Sequence, residues 1–399
     1  MAMSEPRPPR RFRTTLLLAA ALSAMLVVGW VGFMVLAPSP RLTAPAAGPE
    51  VLRPPESVPA LRIMAPADVL PAELIQQFEN QRGTHIVIDI IPDDEEALRR
   101  FIDAPPDAAI VSGVGLARLA ADERLAALSP NRIPAAGTLD PSLVAIGANY
   151  DAGNRHSLMF GWRALGLAYD GPAIQQRLGD AAKQPSWRWL FDPAPAAKLA
   201  DCGIVADDDV VEAFAAALAH LGRPISSQNV GDYEAAAQTW ERVRPMIAAF
   251  GAGEAEARLA DGRACLALTS SDTAYRAGAA ARLHASAAAL TFTVPREGAL
   301  ARDLFLVIPA NARDPRPAEA LFSFLLRPEI AAQITARTGL ITAVPRGIVA
   351  LPSEIRSDPA LRLSRIGLVR EVDPGPRLRG LRERYWHLID APGLPAPAQ

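Results

Sequence analysis

Strand-like and helix-like segments alternate through most of this 399-residue chain, from residue 61 onward. The apolar run 61–64 precedes a helical periodicity over Ala72–Arg82, which Gly83 ends, and a β-branched run follows at His85–Ile91. The same order continues, with further strands or helices predicted at residues 93–102, 108–111, 116–121, 164–169, 203–206, 210–221, 263–268, 304–308 and 317–326. Such alternation is typical of βαβ units, so it predicts an α/β fold with a parallel sheet, helices on both faces and two lobes.

Charge and cysteine content exclude several classes of protein. The chain has 41 Lys+Arg against 43 Asp+Glu, a formal net charge of −2, without the basic excess of a nucleic-acid-binding protein. Its two cysteines cannot build a disulfide scaffold or a zinc ribbon, and its five histidines lack zinc-ligand spacing. No Gly-x-Ser-x-Gly elbow is present. We therefore predict no enzyme activity, no metal, no cofactor and no nucleic-acid partner.

The first sixty residues predict the compartment. Residues 1–15 carry four arginines and are predicted to be a cytoplasmic basic segment, whereas residues 16–37 hold no charged side chain. As a helix that run would rise about 33 Å, enough for a hydrocarbon core of about 30 Å. It is either a single-pass inner-membrane anchor or a long cleaved signal, and both place the bulk of the chain in the periplasm. Residues 38–60 contain seven prolines and predict a stiff linker.

Candidate site residues lie where the predicted strands end. In open α/β sheets, ligands bind beyond the carboxyl ends of the strands. That rule points to the loops at residues 65–68, 112–115, 207–209 and 269–272. It predicts the place of a site without identifying its ligand.

Three stretches are more specific than the periodicity. They read LRIMAPADVLPAELIQQFENQRG at residues 61–83, MFGWRALGLAYDG at 159–171 and LVIPANARDPRPAEALFSFLLRPEIAAQITARTG at 306–339. The chain resembles the bacterial periplasmic solute-binding proteins of ABC importers, and among them the spermidine/putrescine-binding subgroup, nearly collinearly from about residue 61 to 385. The resemblance implies a type II periplasmic-binding-protein fold, a small-molecule ligand, and an ABC permease or another inner-membrane protein as partner.

The resemblance also implies how the chain is divided. The two lobes are expected to close on the ligand by a hinge motion, in which the ligand stabilises a closed state that is already accessible. The connecting strands are expected near residues 158–161 and 298–304, with a third crossing near 343–346. Lobe 1 is expected at residues 61–158 and 299–344, and lobe 2 at residues 159–298 and 345–390.

Family members hold polyamines between aromatic walls and place carboxylates on the terminal amines. Asp209 and Glu212 match the Asp-x-x-Glu amine-binding pair, and Ser112 matches a family serine. Phe160 keeps an aromatic wall position, and Trp162 is a nearby substitute. Asp209 and Glu212 also have the spacing of a helix capping box, so they either cap alone or cap and contact the ligand.

Most of the aromatic cage is otherwise absent. The first loop offers Asp68 as a polar anchor instead of an aromatic cluster, and Ser270 and Arg302 stand where the resemblance places tryptophans. The family's aspartate falls at Asp303 or Leu304, which makes Asp303 a candidate ligand contact. Arg302 would oppose a cation, so it either pairs with Asp303, Asp272 or Asp68 or binds a carboxylate or phosphate. Ser270 is either a ligand contact or an ordinary hydrogen-bonding residue of the loop. Asp272 is either a ligand contact or a helix N-cap.

Two further pairs of residues have local interpretations. Asp207 and Asp208 are predicted to be solvated near the positive end of the following helix. Cys202 and Cys265 precede strands of the second lobe and are either disulfide-bonded, which the periplasm permits, or both buried thiols.

The function predicted from these observations is that of a membrane-anchored extracytoplasmic solute-binding protein. It would capture a small organic solute, polyamine-like in one interpretation, in the interlobe cleft for an ABC importer. The alternative is a degenerate solute-binding domain that acts as a membrane-bound sensor or assembly protein without transport. Loss of the aromatic cage favours the alternative, whereas the retained carboxylates favour transport.

Overall fold

A computed structural model describes residues 60–283 and 289–390. The predicted basic segment 1–15, the anchor or signal 16–37 and nearly all of the linker 38–60 lie outside these residues. Within them, no helix combines the length and apolar character that crossing a bilayer requires. The strands of this part of the chain are β1 Ala60–Pro66, β2 His85–Ile91, β3 Ala108–Ser112, β4 Ser157–Asp170, β5 Ile204–Ala206, β6 Ile247–Phe250, β7 Leu266–Ser270, β8 Leu290–Thr293, β9 Ala299–Val307, β10 Ile341–Thr342 and β11 Leu368–Arg370.

The helices of the described residues cover the sheet and alternate with its strands. They are α1 Ala72–Arg82, α2 Asp94–Asp103, α3 Gly113–Ala121, α4 Pro141–Gly147, α5 Gly171–Leu178, α6 Arg188–Phe191, α7 Pro193–Leu199, α8 Val210–His220, α9 Val230–Val243, α10 Ala252–Ala260, α11 Ser271–Leu283, α12 Arg316–Leu325, α13 Pro328–Thr338, α14 Pro345–Ala350, α15 Ser353–Arg356 and α16 Pro376–Asp390. The predicted α/β alternation is therefore observed.

The strands form one mixed sheet with the order β2-β1-β3-β9-β4-β7-β5-β6. β1 is parallel to β2 and β3, and β5 is parallel to β6 and β7, as βαβ units require. The prediction of a parallel sheet is wrong at the centre, where β9 is antiparallel to both β3 and β4 and β4 is antiparallel to β7. The two central strands run in opposite directions, because β4 leaves the first group of strands and β9 returns to it.

Two long strands connect separate hydrophobic cores. Along β4 the buried residues up to Ala164 belong to the first core, whereas Leu165 and Leu167 belong to the second and Ala168 to a third cluster. Along β9 the change falls between Leu300 and Ala301. The side chains of β7 point alternately to the two faces of the sheet, and each face has its own hydrophobic cluster. Leu268 packs into the second core, and Ala267 packs into the third cluster on the other face. This organisation matches the two-lobed periplasmic-binding-protein fold, and the exact limits of the lobes stay predictions.

The helix after β3 begins earlier than predicted. The sequence predicts a loop at residues 112–115, but α3 already begins at Gly113, because the Ser112 hydroxyl accepts a hydrogen bond from the Gly115 amide at 3.0 Å and caps the helix. A β-carbon at Gly113 would lie 2.6 Å from the Tyr150 ring. The glycine is therefore needed for close packing against that ring.

Cys202 and Cys265 are joined by a disulfide, with their α-carbons 5.5 Å apart. They precede β5 and β7, which pair in register from Ile204 and Leu266. The bond closes a loop across 63 residues of sequence. In the chain-entropy description such a loop limits the unfolded ensemble and stabilises the native state by about 4 kcal/mol.

We expect the double variant Cys202→Ala with Cys265→Ala to lose about 4 kcal/mol of unfolding free energy. The measurement is urea denaturation of the purified protein with and without dithiothreitol. Dithiothreitol should lower the midpoint of the unaltered protein and leave that of the double variant unchanged. A midpoint of the unaltered protein that dithiothreitol does not move would contradict this expectation.

Candidate functional site

Two arginines lie side by side where the central strands pass from one core to the other. Arg163 on β4 and Arg302 on β9 are cross-strand partners in register. Directly opposed residues of an antiparallel pair share one face of the sheet, so both guanidinium groups project to the same side. The side chain of Arg302 is only 11% exposed. Two like charges therefore stand together in a largely buried position, which requires carboxylates around them.

Carboxylates from both cores surround Arg302. Asp94, in the first turn of α2, lies 3.4 Å from Nη2, and Asp209, at the start of α8, contacts Nη1. Glu371 lies 3.6 Å from Nη2 and Glu212 lies 3.9 Å from Nη1. Because α2 packs in the first core and α8 in the second, this single guanidinium group bridges the two halves of the molecule.

Arg163 extends the same group of charges toward α11. Its guanidinium lies 3.5 Å from Glu212 and 3.4 Å from Asp272. Asp272 also lies 3.6 Å from Arg276, which contacts Asp68 of the first loop at 3.9 Å. We call the acidic cluster the set of carboxyl groups around Arg163 and Arg302, which comprises Asp94, Asp207, Asp209, Glu212, Asp272 and Glu371.

One of the two interactions of the predicted capping box is observed at the start of α8. Asp209 is the N-cap, and its carboxylate accepts hydrogen bonds from the amides of Val211 and Glu212 at 2.9 and 3.0 Å. Its amide donates to Asp207 at 3.3 Å, so Glu212 does not close a reciprocal box. The Glu212 side chain turns instead toward the two arginines. Asp209 therefore caps the helix and contacts Arg302 at the same time.

Burial and mutual repulsion hold part of the acidic cluster protonated near neutral pH. Burial and the neighbouring Asp209 together raise the pKa of Glu212 to about 7, against the attraction of Arg163. Burial likewise raises the pKa of Glu371 to about 7. Asp207, predicted to be solvated, is only 6% exposed, and burial beside Glu212 and Asp209 raises its pKa well above the ordinary value. Asp208 is exposed, as predicted.

The arginines carry the positive charge that this cluster needs. Burial by itself would lower the pKa of Arg302, but Asp209 and Glu371 outweigh it and raise that pKa well above its usual range. Burial raises the pKa of Asp209, yet Arg302 reverses the effect and the net pKa is lowered. Six carboxyl groups thus share two guanidinium groups, with Arg276 at the rim, so carboxyl groups outnumber the cations beside them.

The Oε2 atom of Glu212, like Oδ1 of Asp272, is a carboxylate oxygen of the cluster with a hydrogen-bonding position that the described residues leave unused. Glu212 is 1% exposed, and its Oε2 accepts no hydrogen bond from the residues that the structure describes. A buried acceptor without a donor is costly. The oxygen is therefore suited to an ammonium or another donor group brought by a ligand.

The structure does not bring all predicted site residues into the cluster. Trp162 and Asp303 are paired in register on the opposite face of β4 and β9, because side chains alternate along a strand. There Asp303 lies 2.8 Å from Arg370, whose guanidinium stands 5.5 Å from the Trp162 ring. Arg302 therefore pairs with neither Asp303 nor the other predicted partners, Asp272 and Asp68.

The remaining predicted residues take different places. Ser112 donates to Asp94 at 2.8 Å and so supports the cluster from behind. Ser270 is buried and contacts Thr273 at 3.1 Å, and Asp272 lies inside the first turn of α11 instead of preceding it. Phe160 is buried in the first core, and Asp68 is 68% exposed at the rim.

Sequence reasoning missed Asp94, Arg163 and Glu371. Asp94 follows β2, so the rule that selects residues after parallel strands would have found it. Arg163 lies inside a strand and Glu371 follows the three-residue strand β11, where no periodicity signal exists. Only the pairing of β4 with β9 and of β9 with β11 shows that these residues meet.

The raised pKa of Glu212 gives a pH test of the cluster. Between its ordinary pKa of about 4.5 and the folded value near 7, the folded chain holds a proton that the unfolded chain releases, so this group's contribution to stability falls as pH rises. The variant Glu212→Gln has no titrating group at this position, so it does not lose this contribution to stability as pH rises. We expect its unfolding free energy to rise relative to the unaltered protein by about 1–3 kcal/mol from pH 5 to pH 8, measured by urea denaturation.

The control is Glu73→Gln, because the Glu73 side chain is 69% exposed at the start of α1. Its difference from the unaltered protein should stay constant over the same pH range, since solvent screens the charge. Parallel pH profiles for Glu212→Gln and the unaltered protein would show that Glu212 is not held protonated.

Comparison with known proteins agrees with the fold. The family model described as bacterial extracellular solute-binding protein matches residues 73–362. A putrescine/agmatine-binding protein of Pseudomonas aeruginosa is 28% identical over 81% of this chain and 89% of its own length. A putrescine-binding periplasmic protein of Escherichia coli is 26% identical over 80% of this chain and 88% of its own. These relatives are named as binding proteins, not as enzymes.

Solved structures show the same fold. The spermidine/putrescine ABC transporter substrate-binding protein of Streptococcus pneumoniae superposes with a TM-score of 0.66 at 20% identity, covering 83% of this chain and 98% of that one. A lipoprotein of Treponema pallidum superposes with a TM-score of 0.68 at 20% identity, covering 83% and 99%. Because the family model spans more than half of the sequence, this chain belongs to the bacterial extracellular solute-binding proteins.

Proposed function

We propose that this protein captures a small cationic solute of the putrescine or spermidine type between its two halves and presents it to an ABC permease. The excess of carboxyl groups in the acidic cluster, with the Glu212 Oε2 atom buried and unpartnered among the described residues, carries this proposal. The names of the curated relatives point to the same class of solute.

The electrostatics of the cluster support a cation over an anion. An ammonium group near Glu212 and Glu371 would favour their ionised forms and replace the protons they retain near pH 7. A carboxylate or phosphate there would meet like charge and would have to remove Arg302 from its partners. We propose Asp209, Glu212 and Asp272 as the amine-binding groups. Asp94 and Ser112 would complete the site on the opposite side, and Asp68 would lie at its rim.

We further propose that residues 16–37 remain as an anchor in the inner membrane and that the linker 38–60 tethers the binding domain outside it. Anchoring would confine the domain near its permease and raise its effective concentration there, at the cost of free diffusion. The uncharged run and the four arginines before it support this arrangement.

A second candidate function is a membrane-bound sensor or assembly protein that no longer transports a solute. The observation that favours it is the pairing of Arg302 with carboxylates of both halves, because these carboxylates are then already neutralised. Under this function the two halves would stay together without a solute.

Solute binding is tested by melting the purified full-length chain in detergent with putrescine, spermidine, γ-aminobutyrate, succinate and phosphate. We expect a rise in the melting temperature with the two polyamines alone. A ligand at 100 times its Kd adds about 2.7 kcal/mol to the unfolding free energy. The double variant Asp209→Asn with Glu212→Gln should lose the response, while the asparagine introduced in place of Asp209 would still cap α8.

The matched control is Asp208→Asn, which removes an exposed carboxylate beside the cluster. It should respond to putrescine as the unaltered protein does. A response to succinate or phosphate alone would contradict a cationic solute, and a flat response to the whole panel would favour the sensor or assembly function.

Membrane anchoring is tested by separating the membranes of cells that express the chain and determining its N-terminal residues. We expect the chain in the inner-membrane fraction after carbonate washing, with residues 1–37 intact. A shorter chain in the soluble periplasmic fraction would show that the segment is a cleaved signal.

A further inference from the structure

Arg302 occupies the centre of the acidic cluster. Its guanidinium contacts carboxylates contributed by α2, by the start of α8 and by the residue after β11. These include Asp209, one of the groups proposed above to bind an amine. A planar guanidinium presents five N–H donors and stays charged, so it can satisfy several carboxylates at once.

The position of Arg302 also matters for the arrangement of the two halves. On β9 it lies two residues after Leu300, the last residue of this strand in the second core, and next to Ala301, the first residue of this strand in the first core. Asp94 and Asp209 approach the guanidinium from opposite cores. A contact between these halves is thus made by a cation that belongs to the chain itself.

We propose that Arg302 is a built-in competitor that takes the place of a solute ammonium group in the acidic cluster and holds the two halves together without solute. This inference rests on the proposed cationic solute. A polyamine must then displace the guanidinium from Asp209 before it can bind there. The observed affinity is the intrinsic affinity multiplied by the fraction of chains in which Arg302 has withdrawn.

The consequence is a threshold for solute capture. Chains with Arg302 in place would not bind the cation at low concentrations. Amines that bind more tightly or carry several charges would be selected, because they compete best for several carboxylates. Arg163 remains beside the vacated position and continues to neutralise Glu212 and Asp272. Release of Arg302 therefore leaves one cation in the cluster and opens places for another.

The first test compares putrescine binding by the full-length chain and its variant Arg302→Gln, using isothermal titration calorimetry in detergent. We expect the variant to bind putrescine at least tenfold more tightly, because its carboxylates have no built-in competitor. Arg302→Lys keeps the charge and should stay within threefold of the unaltered protein. The control Arg316→Gln, at an arginine whose side chain is 75% exposed, should leave the Kd unchanged.

The second test needs no variant and decides the matter if Arg302→Gln does not fold. Phenylglyoxal modifies accessible arginines, and peptide mass spectrometry reports the rate at each one. Arg302 is 11% exposed before solute binds, and its displacement by putrescine should at least triple its rate of modification. Arg316 is the internal standard, and its rate should not change. A solute that merely covered Arg302 would slow its modification instead.

The outcomes separate this inference from the function on which it rests. The built-in competitor would be overturned if Arg302→Gln bound putrescine no more tightly, or if putrescine slowed the modification of Arg302. Either result would leave the proposed cationic solute unaffected. No binding of putrescine or spermidine by either chain would overturn both. Tighter binding by the variant, or faster modification in the unaltered protein, would support the competitor.

Discussion

The buried pair of arginines on β4 and β9 is the constraint on which the centre of this structure depends. Two guanidinium groups in register would repel each other strongly in a medium of low dielectric, so they require the carboxylates that surround them. Those carboxylates in turn come from elements of both cores. Removing either sign of charge would leave the other buried and uncompensated, which costs several kcal/mol. The same ion pairs therefore determine both the packing of the two halves and the electrostatics of the candidate site.

The same arrangement relates two features of the site, the absence of most of the aromatic cage and the presence of the carboxylates. An aromatic wall stabilises a bound cation through its ring face, whereas a guanidinium supplies the cation itself. With Arg302 where the resemblance places a tryptophan, the carboxylates would be neutralised from within. Carboxyl groups nevertheless outnumber the two arginines, and burial and neighbouring carboxylates raise the pKa values of Glu212 and Glu371. A cleft of this kind is consistent with a cationic solute that has to compete for its place.

Sequence reasoning recovered the parts of the site that have a local signature. Asp209 and Glu212 stand at the start of a strongly apolar helix and match a family pair, and Ser112 ends a buried strand and matches a family serine, so the local sequence was sufficient to select them. Arg163 and Glu371 have no such signature, and Asp207 resembles a solvated loop residue although it is buried. The resemblance predicted Trp162 as a substitute for the aromatic wall position Phe160, and Asp303 at or beside the position of a family aspartate. Strand alternation puts them on the other face, and this depends on register.

The sequence by itself determined the α/β class, the first strands and helices, the family and the acidic start of α8, because periodicity, caps and family stretches are local properties of the chain. Tertiary structure alone decided that β9 runs antiparallel to β3 and β4 and that Arg163 and Arg302 share a face. It also decided which carboxylates meet Arg302, since Asp94 and Glu371 lie 208 and 69 residues away from it in sequence. Charges so distant along the chain become neighbours only when strand pairing fixes their register, and their burial then sets both their pKa values and their partners.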